Sequence, residues 1–142
     1  MGSMPEVGSA PKAITALARS SVVHAAFAFL AMGAWAVFAN RSAGISHVLV
    51  AGLVQGALSG AITLALKRFL ETASARLSGA WALIVPPVIS CAAILALLVA
   101  AHILAGTRNV LATISLPYAV SSTYAWVYTW AVVRRRTAGA MA

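Results

Sequence analysis

Six nitrogen-bearing side chains fall at matching places in two parts of this chain. Asn40 and Arg41 come shortly before His47, and His102 comes shortly before Arg108 and Asn109. A guanidinium is a planar fork that matches a carboxylate or a phosphate. Set beside asparagine amides and imidazoles, two such forks suit an anionic ligand or a lipid headgroup. A plainer use competes with this one, because arginine and asparagine in turns also cap helices and meet headgroups without specificity. A third reading is a haem held between His47 and His102, with Arg41 and Arg108 on its propionates.

A second polar set lies in apolar surroundings. His47, Gln55, Ser59 and Thr63 sit on a row that recurs every four residues. Further on, the rotation from Thr113 to Tyr128 is only about 60° at about 100° per residue, so Thr113, Pro117, Ser121, Tyr124 and Tyr128 share one face of a helix. An amide left unpaired in hydrocarbon is costly, so Gln55 must meet protein or water. It either forms an interhelical hydrogen bond or lines a polar route with Ser59, Ser121 and Tyr124.

Several chemistries are excluded by what is missing. The sequence has no aspartate and only two glutamates, Glu6 and Glu71. A Ser-His-Asp set cannot be assembled, and neither can a pair of carboxylates for glycoside chemistry. No carboxylate lies inside an apolar run, where proton-coupled antiport usually needs one. The single cysteine, Cys91, rules out an intramolecular disulfide. Cys91 and His102 would lie roughly 16 Å apart along one helix, too far to share a metal. The chain reads as non-enzymatic, without a metal and, haem aside, without a cofactor.

The elements that must position these residues are unusually apolar. Of 142 residues, 62% are hydrophobic and 8% charged, against roughly 25% charged in a soluble domain. Residues 20–40, 42–66, 77–107 and 109–133 contain no Asp, Glu, Lys or Arg. A helix needs about 20 apolar residues to cross a bilayer, and each run is long enough. The first run ends in no cleavage-type site and reads as a span rather than a leader. The expected fold is all-α and polytopic, an up-down bundle of four transmembrane helices over about 21–39, 45–66, 80–105 and 110–133. A transmembrane domain over 20–136 would then lie between tails at 1–19 and 137–142. Pro86, Pro87 and Pro117 are expected to kink or bend their helices.

The net charge of +8 follows the same plan. Lys12, Arg19, Lys67, Arg68, Arg76, Arg134, Arg135 and Arg136 alternate, loop by loop, with Arg41 and Arg108 alone. Basic residues stay on the cytoplasmic side, so both termini are expected there. The charge is assigned to topology and anionic lipid rather than to nucleic acid. A bacterial inner membrane is the expected compartment.

Gly52, Gly56 and Gly60 recur at every fourth position. Small residues at this spacing let helix backbones approach closely. They serve either packing inside the monomer or a seam in a homo-oligomer or a larger membrane complex. The leading functional expectation is passage or flipping of a small anionic or lipid-linked substrate. Its ligand residues would be Asn40, Arg41, His47, Gln55, Ser59, His102, Arg108, Asn109, Ser121 and Tyr124. The alternatives are an accessory or assembly subunit and a haem-binding electron carrier.

Overall fold

Glycines on two neighbouring helices set the closest packing in this protein. In a computed structural model, which describes residues 21–140, these residues form helices α1 (Ser21–Ala39), α2 (Ile45–Ala75), α3 (Gly79–Leu104) and α4 (Val110–Ala140). Residues 1–20 and 141–142 lie outside the described residues, and with them the expected N-terminal tail, Lys12 and Arg19. Three of the helices, α1, α2 and α3, are long and apolar enough to cross a membrane. The chain is therefore a multi-pass integral membrane protein.

The first and second helices run antiparallel, with Val37, Gly33, Phe29 and Ala25 of α1 meeting Gly52, Gly56 and Gly60 of α2 in reverse order. A Cβ on Gly33 would lie 3.0 Å from the Gly52 carbonyl oxygen, and one on Gly56 would lie 2.9 Å from the Phe29 carbonyl oxygen. Only hydrogen fits at these two points, and the two backbones approach closely because of it. The apolar core lies further along α2 on an adjoining face, where Ile62, Leu66 and Leu70 meet Ile94 and Leu98 of α3 and Ile114 and Ala125 of α4.

Two helices run past the ends of their apolar runs, the second through residues 67–71, where a helical continuation into the headgroups is expected from the sequence. The second continues from Leu66 to Ala75, and the fourth continues from Val133 to Ala140. Lys, Arg, Leu, Glu and Ala are good helix formers in or out of lipid, so loss of hydropathy marks the edge of an apolar run and not the end of a helix. Leu70 and Ser74 remain on the buried face of the α2 extension. The guanidinium of Arg136 donates to the Glu71 carbonyl at 3.2 Å and ties the two extensions together. The third helix runs unbroken through Pro86 and Pro87, and the fourth through Pro117.

Helix α3 ends in a Schellman motif. Gly106 has φ +65, its N–H donates to the Ile103 carbonyl at 3.1 Å, and the Thr107 N–H donates to the His102 carbonyl at 2.9 Å. A left-handed residue at this place is what satisfies the last carbonyls of a helix, and glycine adopts it without strain. The motif folds Thr107 back over His102, which positions the site described next.

Candidate anion-binding rim and its polar core

The turns after α1 and after α3 are joined by a clasp of asparagines. Asn40 is buried at the end of α1. Its Nδ2 donates to the Ala36 carbonyl at 2.9 Å and to Thr113 Oγ1 at 2.7 Å. Its Oδ1 accepts from the Asn109 N–H at 3.2 Å. Asn109 answers by donating from Nδ2 to the Ala39 carbonyl at 3.1 Å. One turn away, Trp35 Nε1 donates to the Ala112 carbonyl at 3.0 Å. Both amide donors of Asn40 are used, which fixes the orientation of a side chain that could not be buried otherwise.

The clasp brings two arginines to one end of the molecule. Arg41 follows Asn40 and Arg108 precedes Asn109, and both are exposed. One guanidinium nitrogen of Arg41 donates to the Phe38 carbonyl at 3.0 Å. Its central carbon stands 4.3 Å from the Phe38 ring centre, a cation–π contact that holds the fork in place. His47 is exposed on the first turn of α2, next to the same turn. Asn40, Arg41, His47, Arg108 and Asn109 thus occupy one rim.

The other expected member, His102, turns inward. It is fully buried on the row Ala82, Pro86, Ser90, Ile94, Leu98 and His102 of α3. Its Nε2 is 2.8 Å from Gln55 Oε1, and its Nδ1 is 2.8 Å from Thr107 Oγ1. Gln55 Nε2 donates onward to Ser59 Oγ at 2.8 Å. Since the amide nitrogen faces Ser59, its oxygen faces His102 and can only accept. His102 therefore carries its proton on Nε2, and Nδ1 accepts from the Thr107 hydroxyl. The chain Thr107–His102–Gln55–Ser59 links the α3–α4 turn to the middle of α2, and every member is satisfied within it.

This corrects the expectation of a histidine pair at the mouth. Matching depth along two helices does not fix direction around them. His47 points out and His102 points in, with both ring nitrogens of His102 engaged, so neither is offered to a haem iron in this arrangement. Gln55 and Ser59 sit in an interhelical bond network rather than on an open lining.

Ser121 and Tyr124 lie near the middle of α4, apart from that network. Tyr124 stacks on Tyr128 with ring centres 5.1 Å apart, and the Tyr128 hydroxyl donates to Glu71 Oε1. Ser121 is half-buried beside them in sequence. Gly52, Gly56 and Gly60 face α1, so the surface that a seam between copies would use is occupied inside the monomer.

Sequence reasoning missed Thr107, Thr113, Trp35 and Glu71 as partners. Thr107 had a local signal, because the residue after a glycine at a helix end returns to the last turn. The Asn40–Thr113 bond spans 73 residues and has no local signal. No protein-family model matches this sequence, and no curated protein and no solved structure matches it. The geometry carries the functional argument.

Proposed function

We propose that this membrane protein binds the anionic headgroup of a lipid or lipid-linked substrate at the rim formed by Arg41, Arg108 and His47, as the first step of its passage across the bilayer. The supporting observation is the Asn40–Asn109 clasp, which draws the two arginines to one end. No carboxylate competes for them there, since Glu71, the sole acid among the described residues, bonds Tyr128 near the opposite end of α2.

In this reading α4 is a fourth span. It carries no charge over residues 110–133, and Thr113, Ser115, Pro117, Ser121, Ser122 and Thr123 make it less apolar than its neighbours. The four helices thread up and down, the rim faces away from the cytoplasm, and both termini face it. That orientation follows from the eight-to-two division of basic residues between the two sides. Passage beyond the rim would require the His102–Gln55 bond to open, after which Gln55 and Ser59 would meet the substrate. Ser121 and Tyr124 would meet it further in.

The test is binding of the water-soluble lipid dihexanoyl phosphatidylglycerol to purified protein. A basic side chain near an anionic headgroup contributes about 1 kcal/mol. The double variant Arg41→Gln/Arg108→Gln should therefore weaken binding about thirtyfold. His47→Ala should have a smaller effect. Unchanged affinity in the double variant would remove the rim from the mechanism.

A further inference from the structure

Between the half of α2 away from the rim and the middle of α3 lies an open apolar groove of about 290 Å³. Its floor is Ile62, Leu66 and Ile94, and its walls are Phe69, Ile89 and Leu97. It exists because Ala65 and Ala93 line it where larger residues would close it. From Phe69 to Ile62 is seven residues, or about 10 Å of helix. That length falls within one leaflet, half of a hydrocarbon core about 30 Å thick.

The face of α2 that lines the groove changes character at its end. Arg68, Phe69, Thr72 and Arg76 all lie within about 60° of Ala65 around the helix at about 100° per residue. Arg68 and Arg76 are both exposed, and Arg76 is the C-cap of α2, about 10 Å beyond Phe69 along the axis. One stripe of helix therefore offers an apolar slot within the leaflet and two cations at its edge. A phospholipid with a negatively charged headgroup has the same order of parts. A neutral lipid would leave the cations unmatched, and a soluble anion would leave the slot empty.

We propose that the α2–α3 groove holds an acyl chain of an anionic phospholipid whose headgroup is bound by Arg68 and Arg76. This site lies at the opposite end of α2 from the rim and does not depend on it. The van der Waals contact of the chain with Ile62, Leu66 and Ile94 gives occupancy, and the arginine forks select charge.

The experiment is native mass spectrometry of delipidated protein titrated with dioleoyl phosphatidylglycerol, with dioleoyl phosphatidylcholine as the neutral comparison. The wild type should retain the anionic lipid in preference to the neutral one. Arg68→Gln/Arg76→Gln, two changes on exposed residues, should weaken retention of the anionic lipid about thirtyfold and abolish the preference. Ala93→Leu, which fills the slot, should lower retention of both lipids. Equal retention of the two lipids by the wild type would overturn the proposal. So would unchanged retention in the Arg68/Arg76 variant or in Ala93→Leu. If Arg41→Gln/Arg108→Gln alone released the dioleoyl lipid, the rim would be the binding site and the groove assignment would fail. Loss of dihexanoyl binding without loss of dioleoyl binding in that same variant supports two separate sites.

Discussion

Replacing Gly56 with alanine should destabilise the protein, while the same change at Gly60, one turn away, should leave it unchanged or stabilise it. A methyl on Gly56 meets the Phe29 carbonyl oxygen at 2.9 Å and the Phe29 ring at 3.1 Å. Since backbone is one of those neighbours, α1 must move as a body. A methyl on Gly60 meets its nearest neighbour, the Ala25 carbonyl oxygen, at 3.4 Å, an ordinary contact. Overpacking of a tight interface typically costs about 1–3 kcal/mol, and the better helix propensity of alanine returns up to about 1 kcal/mol. Gly33→Ala should resemble Gly56→Ala, because its methyl would meet the Gly52 carbonyl oxygen at 3.0 Å. Gly52→Ala should also resemble Gly56→Ala, since its methyl would meet Val37 Cγ2, on a side chain stiff at χ1, at 2.7 Å and the Gly33 carbonyl oxygen at 3.3 Å. Unfolding midpoints in a denaturing detergent series measure this order. Equal losses at Gly56 and Gly60 would mean that α1 does not lie on this face.

The second large effect is expected at the Gln55–His102 junction. Gln55→Leu leaves the His102 Nε2–H without an acceptor and Ser59 without its donor, both in a buried setting. Each buried group stranded in this way costs about 1–3 kcal/mol. His102→Leu strands the Gln55 carbonyl and the Thr107 hydroxyl at similar cost. The double variant should lose much less than the sum, because Ser59 can return to its own helix carbonyls and Thr107 lies at a turn. A coupling of about 1–3 kcal/mol is expected between the two positions. Losses that add to within about 0.5 kcal/mol would show that these side chains do not meet. Nitrogen-15 spectra of labelled histidine give a check that does not involve unfolding: His102 should carry its proton on Nε2 and leave Nδ1 bare.

These two cases also mark what could be read from sequence. The three apolar spans were legible because their hydropathy exceeds any need of a soluble core. The closeness of two backbones was legible in the glycine spacing, but not which helix would fill the groove. Gln55 was legible as a residue in need of a partner. The partner, 47 residues away, emerges only when α3 packs on α2. The rim was legible in part. The symmetric loop positions of Asn40, Arg41, Arg108 and Asn109 suggested convergence, and the hydrogen bonds between the two asparagines supply its cause. His102 was placed in the rim because counting along a helix gives depth and no azimuth. Its membership of the row Ala82, Pro86, Ser90, Ile94 and Leu98 would have turned it inward.

The most direct test of a four-crossing chain with one basic rim is side-specific thiol labelling in sealed membranes, with Cys91 replaced by alanine. Single cysteines at Ser42 and Arg108 probe the two rim turns, and those at Leu77 and Gly139 probe the opposite end. Four crossings put Ser42 and Arg108 on one side, with Leu77 and Gly139 labelled only from the other. Labelling of Gly139 from the same side as Arg108 would mean that α4 does not cross the bilayer, and the proposed path along it would be lost.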